Sequence, residues 1–155
     1  MQHYQGEFES TIDQRGRFVL PQGVMKQFVQ NDIQQTSFMI SRGFEKCLTI
    51  YNIESWDAMI AKINKLNDFD PKVRAFRRLF MGGATKVELD TSNRLTTPSS
   101  LKEYADLSKD IIITAANGKF ELWDKKTYMQ FFEDTTTDQF SDLAAEVMGN
   151  LNDDK

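Results

Sequence analysis

A chain of 155 residues with 40% apolar residues and 12 phenylalanines can bury a core of its own, as one domain or as two small fused units. No apolar run approaches the roughly 20 residues that cross a bilayer, and the opening MQHYQGEFES has neither the basic nor the apolar stretch of a secretion signal, so a cytoplasmic protein is expected. The formal net charge of −4 argues against nucleic acid only if it is evenly spread, and it is not: seven acids from Glu133 onward against Lys155 alone give −6, which leaves +2 on residues 1–132.

The first stretch to signal structure is STIDQRGRFVLP, residues 10–21, a strand-like run entering Asp-x-x-x-Arg with a proline four residues after the arginine. RFVL reads as a strand, Pro21 suits the opening of a short helix PQGVMKQFV, SFMIS is a strand, Arg42-Gly43 a turn, CLTIY a strand and NIESWDAMIAKI a helix. Cys47, the only cysteine, lies inside the alternating CLTIY run, so it has no internal disulfide partner and reads as a core filler rather than a nucleophile.

The connector NKLNDFDPKVRAFRRLFMGG follows. Asp70 is placed to cap a helix with Pro71 at its first position, Val73, Phe76 and Phe80 recur at helical spacing, and Gly82-Gly83 stop it. From Ile60 to Lys86 seven cations stand against Asp68 and Asp70, locally +5, whose plain reading is a solvated face.

The earlier order then returns. KVELDTSNRLTTP, residues 86–98, repeats Asp13, Arg17 and Pro21 as Asp90, Arg94 and Pro98; RLTT, the helix PSSLKEYA, the strand DIIIT, the turn Asn117-Gly118, the strand KFELW and the helix DKKTYMQFF complete the copy. Tyr51 and Trp56 match Trp123 and Tyr128 at a smaller offset, which places a loss of five residues between the short helix and the third strand of the second copy. Four short strands and one small helix cannot bury much alone, so the halves are expected to complete one another's core.

These residues, together with Gly82-Gly83-Ala84-Thr85 and Phe120-Glu121-Leu122-Trp123-Asp124, resemble the MraZ family of bacterial transcriptional regulators, over nearly the whole chain from Tyr4 to about Leu143. The resemblance implies an α+β, mainly β fold: a duplicated, AbrB-like swapped-hairpin β-barrel with flanking helices, a pseudo-dimer within one chain. It divides the chain into a first AbrB-like hairpin unit at 5–53, a helical connector at 54–82, a second hairpin unit at 83–126 and an acidic helical tail at 127–155. It further implies ring homo-oligomers that bind double-stranded DNA at short direct repeats in the promoter of the cell-division and cell-wall operon, usually as a repressor, in a nucleoid-associated setting.

Asp13 and Asp90 sit where a strand enters a tight turn, and an aspartate there accepts from amides two residues on, so both read as structural, with an Asp-to-Arg pairing as their simplest role. Arg15 and Arg17 flank Gly16 on the first hairpin tip, where glycine would let a phosphate approach closely, and with Gln14 they form the stronger DNA-binding candidate. The second loop, Thr91-Ser92-Asn93-Arg94, offers Arg94 and Asn93 only. The more typical family pattern has glycine before the second arginine; asparagine is the residue that best replaces it in a left-handed conformation. A rival reading has Arg17 merely pairing with Asp13.

No catalytic residue, cofactor or metal site is expected. His3 lies near the terminus, no serine or cysteine has an evident base, and Gly82-Gly83 is a helix stop rather than a nucleotide cradle. The competing non-enzymatic readings are a ring-forming protein-interaction scaffold and an antitoxin-like AbrB relative.

Overall fold

The computed structural model describes residues 3–150, so Asp153, Asp154 and Lys155 of the expected acidic tail lie outside the described residues. The chain divides into two compact units, Met1–Lys125 and Lys126–Lys155.

In the first unit β1 (Glu7–Thr11) and β2 (Arg17–Val19) flank the first Asp-x-x-x-Arg loop, and β7 (Thr85–Glu88) and β8 (Arg94–Thr96) flank the second. Each second strand runs into a short helix, α1 (Gln22–Met25) or α4 (Ser99–Tyr104), and then comes a hairpin, β5 (Ser37–Arg42) with β6 (Leu48–Asn52), or β9 (Asp110–Ala116) with β10 (Lys119–Asp124). Pro21 and Pro98 both take the N-cap place of these helices, with φ −58° and −57°. The first short helix is briefer than the expected 21–29: a 3-10 turn over Lys26–Phe28 follows it, and Val29 leaves in extended conformation.

Val29–Gln30 (β3) and Ile33–Gln34 (β4) make a small hairpin around Asn31 and Asp32, at φ 53° and 62°, the left-handed pair that a two-residue turn requires. This arm accounts for most of the length difference between the copies, but not for all of it. Thr36 in the first copy holds the place of Lys109 in the second, each carbonyl accepting from the first half-strand of the other copy, Leu89 N or Ile12 N, at 2.8 Å. Four of the five residues are therefore lost at the arm. The fifth is lost in the turn between the third and fourth strands: five residues lie between the paired Arg42 and Leu48, and four between their counterparts Ala115 and Phe120.

Six strands form one antiparallel sheet in the order β1-β9-β10-β6-β5-β7. Exchanging the halves maps that order onto itself, because β1 pairs with β9 as β7 pairs with β5, and β10 pairs with β6 at the centre. Thr49 stands opposite Glu121, its own counterpart. β2 and β8 form a separate ribbon in which Phe18 faces its counterpart Leu95. The copies thus interleave rather than sit side by side; among the described residues β1 and β7 end the large sheet, and the ribbon is a distinct element.

The interleaving follows from what must be buried. Phe18, Leu20, Val24, Phe28, Phe38, Ile40 and Ile50 share one cluster with Leu95, Leu101, Ile111, Ile113, Phe120 and Leu122. Each such side chain contributes about 1.5–3 kcal/mol on full burial, and neither copy supplies enough of them to close a core alone.

A second cluster, Tyr51, Trp56, Ile63 and Phe80, joins the sheet to α2 (Ile53–Ile63) and α3 (Pro71–Met81), with Trp56 stacked on Phe80 at 5.3 Å. Asn52 caps α2 through Ser55 N at 2.7 Å, and Asp70 caps α3 through Lys72 N at 2.9 Å with Pro71 just inside. Cys47 is fully buried.

The second unit holds most of α5 (Lys125–Glu133) and α6 (Thr137–Gly149). A capping box between Thr136 and Gln139 starts α6. No helix among the described residues is long and apolar enough to cross a membrane.

Candidate nucleic-acid interface

The two Asp-x-x-x-Arg loops are built by one set of bonds. Gly16 N donates to Asp13 O at 3.0 Å and Asp13 N to Arg17 O at 2.9 Å; in the other copy Asn93 N donates to Asp90 O at 3.0 Å and Asp90 N to Arg94 O at 3.0 Å. This is a three-residue hairpin loop, a tight turn closed by a left-handed residue. Gly16 has φ 81° and Asn93 φ 60°, so asparagine does take the conformation for which glycine is the default.

The aspartates hold that shape as their position suggests. Asp13 Oδ1 accepts from the amides of Arg15 and Arg17, both at 2.9 Å, and Asp90 Oδ1 from those of Ser92 at 2.8 Å and Arg94 at 2.9 Å. The other carboxylate oxygen takes the guanidinium Nε, 2.7 Å in Arg17 and 2.9 Å in Arg94. The arginine amide, the guanidinium and the second loop amide together keep each carboxyl below the usual carboxylate range.

This pairing does not use up the arginines. Only Nε is engaged, and the Nη1 and Nη2 groups of Arg17 and Arg94 have no partner among the described residues. The Asp–Arg bond therefore fixes the fork and leaves its two terminal donors presented, so the structural and the ligand-binding readings of Arg17 are compatible.

In the β2–β8 ribbon Phe18 and Leu95 point into the core, while Arg17 beside Thr96 and Arg94 beside Val19 occupy the outer face. Val19 is 49% exposed. Next to the first loop an open groove of about 570 Å³ brings together Asp13, Gln14, Arg17, Val19, Arg94 and Lys109. Arg15, Gln14 and Asn93 are exposed, and the side chain of Arg15 has no carboxylate partner among the described residues.

Gly16 departs from its expected reason. A Cβ there would meet the carbonyl oxygen of Thr97 at 2.4 Å, and Thr97 N donates to Gly16 O at 2.7 Å. The close approach that glycine permits is taken by the opposite copy's backbone, not left open for a phosphate. The matching bond, Leu20 N to Asn93 O, is 2.9 Å.

Two of the seven connector cations serve as internal braces. Arg77 donates to Ile63 O and Asn64 Oδ1, each at 3.1 Å, and pairs with Asp68 at 2.9 Å; Arg74 donates to Asp68 O at 2.9 Å. These bonds pin α3 to the end of α2, whereas Arg78 on the same helix is exposed and has no side-chain partner among the described residues. Sequence reasoning passed over Arg42, which reaches Leu79 O at 3.2 Å and Gly82 O and lies over the Tyr104 ring at 5.5 Å, tying down the end of α3. It also passed over Lys109, whose only local signal is a lysine just ahead of a strand.

Glu45, Cys47 and Glu121 lie close enough for one ion to touch all three, but burial, reinforced by Glu121 and Glu45, pushes the Cys47 thiol up to about 12, against the thiolate that a metal or a nucleophile needs.

The family model for the MraZ protein, described as antitoxin-like, matches residues 4–79 and matches again at 80–151. The chain belongs to the MraZ family. A protein of Flavobacterium psychrophilum named transcriptional regulator MraZ is 40% identical over 151 residues, covering 97% of this chain and 94% of that one. A second of that name, from Christiangramia forsetii, is 39% identical over 146 residues, 94% of this chain and 92% of its own. These MraZ relatives are named as regulators of transcription and not as enzymes, and the double match restates at family level the repeat visible in the strand order.

Proposed function

We propose that this MraZ-family chain is a sequence-specific DNA-binding transcriptional regulator, a repressor of the cell-division and cell-wall operon that binds short promoter repeats as a ring homo-oligomer. The observation that carries the reading is the outer face of the β2–β8 ribbon, where Arg17 and Arg94 are each held at Nε by an aspartate and present free Nη donors beside exposed loops. A two-stranded ribbon fits the major groove, and a guanidinium fork matches a guanine edge or a phosphate. Gln14, Arg15 and Asn93 border that face and complete the proposed contact set.

The cross-half pairing supports a swapped-hairpin barrel, with units near 5–53 and 83–126 joined by a helical connector at 54–82 and followed by a helical tail at 127–155. Few cations per chain give weak, salt-sensitive contact, so a ring of identical ribbons on repeated sites supplies the avidity and keeps the protein with the nucleoid.

Footprinting on the DNA upstream of the chain's own gene tests this. Regularly spaced short protections are expected, together with light scattering showing an assembly larger than a dimer. A monomer that protects nothing there, or a ring that captures protein but not DNA, would sink the proposal in favour of the scaffold or antitoxin-like reading.

A further inference from the structure

The pseudo-two-fold that relates the loops allows the surroundings of one to be compared with those of the other, position by position. The groove at the first loop is lined by Thr11, Asp13, Arg17, Arg94, Ser108 and Lys109 among others. Its counterpart positions are Glu88 for Thr11, Asp90 for Asp13, Arg94 for Arg17, Arg17 for Arg94, Gln35 for Ser108 and Thr36 for Lys109, as the matched pairings Thr11 with Asp110, Ser37 with Glu88, and the bonds to Lys109 O and Thr36 O require. On the first side three cations stand against one acid, net +2; on the other two cations stand against two acids, net zero.

Lys109 makes half of this difference, and Glu88 in the place of Thr11 makes the other half. Lys109 is exposed, its backbone is fixed by the bond from Ile12 N at 2.8 Å, and its ammonium has no carboxylate partner among the described residues. Asp13, the one acid in the groove, is already saturated by two amides and the Arg17 guanidinium. An ammonium so placed is not held in an ion pair, and it flanks the two forks whose free donors face outward. A compact cation at that position suits a phosphate, as a point charge beside the planar arginine forks.

We propose that Lys109 is a DNA-phosphate contact at one end of the β2–β8 ribbon, which makes the two ends of an otherwise two-fold element unequal in their hold on a duplex. This rests on the reading of the ribbon as the DNA-binding face. It adds a residue that no repeat of the Asp-x-x-x-Arg motif contains, because the motif's partner position is a threonine.

A phosphate contact is blind to sequence, so a random-sequence duplex of about 30 base pairs serves as probe, titrated by fluorescence anisotropy between roughly 50 and 200 mM salt with the full-length chain. Lys109→Ala is expected to weaken binding several-fold at the low-salt end and to make the slope of log affinity against log salt shallower by about one for each copy engaged. Lys62→Ala, which removes the same charge from α2, is expected to leave the slope unchanged, and neither substitution should move the melting temperature by more than a surface change does. An unchanged slope in Lys109→Ala, or an equal fall in Lys62→Ala, overturns the proposal. The double variant Arg17→Ala, Arg94→Ala separates the two levels of inference. If it loses binding while Lys109→Ala does not, only the Lys109 contact is wrong; if the double variant binds like the parent, the ribbon is not the DNA face and both readings fall.

Discussion

The first loop, Gln14-Arg15-Gly16-Arg17, and the second, Thr91-Ser92-Asn93-Arg94, share every backbone bond and differ in almost everything they display. Both are closed by an aspartate that takes two amides and one guanidinium, and both have a left-handed residue just before the arginine. The first adds Arg15 and lies beside Lys109; the second adds hydroxyls and an amide and lies beside Thr36. The turn chemistry is what duplication had to keep, since losing it would break the ribbon between the copies, whereas the displayed side chains were free to diverge.

The largest expected effects lie where the loops are alike. Phe18 and Leu95 face one another under the ribbon, so Phe18→Ala should cost about 3–5 kcal/mol and Leu95→Ala about 2–5 kcal/mol, each in one cooperative transition. Calorimetry showing two separate transitions, one per copy, would break the claim that the core is shared.

Next come the left-handed positions, where the copies should part. Gly16→Ala forces a Cβ to within 2.4 Å of Thr97 O at φ 81° and should cost roughly 1–3 kcal/mol. Asn93→Gly, at φ 60° and exposed, should shift stability by no more than about 0.5 kcal/mol. Denaturant melts of the two variants decide this, and equal effects would mean that the crowding at Gly16 is relieved at little cost.

The smallest effect should be common to both loops. Asp13 and Asp90 are held below the usual carboxylate range, so their folded forms bind protons less readily than the unfolded chain. Their contribution is then fully present above the ordinary carboxylate range and is lost as pH falls through the lower folded values. Melting temperatures followed from about pH 5 downward should decline less steeply in Asp13→Asn and Asp90→Asn than in the parent. Slopes identical to the parent's would remove these carboxyls from the acid response.

What could be read in the sequence was local. Asp70, Pro71 and Gly82 bound α3 because caps and stops act within one turn, and Asn93 was readable as a glycine substitute because φ preference belongs to the residue itself. What lay hidden depends on residues far apart in the chain. That β1 pairs with β9 and β7 with β5, that Thr97 fills the space beside Gly16, and that Arg77 braces α2 rather than meeting solvent all require the fold first. The β3–β4 arm escaped because Asn31-Asp32 joins strands of only two residues, too short for alternation to register.

On the proposed reading, the fold holds the ribbon arginines so that their free donors meet DNA. Arg17→Ala and Arg94→Ala, each measured by gel shift on the gene's own upstream DNA and by melting beside Asp13→Ala, address it most directly. Arg17→Ala is expected to lose roughly 1–3 kcal/mol of binding for each base contact removed, and Arg94→Ala less, with both melting closer to the parent than Asp13→Ala does. Full DNA affinity in both arginine variants, with Arg17→Ala melting as low as Asp13→Ala, would mean that the arginines only close their turns.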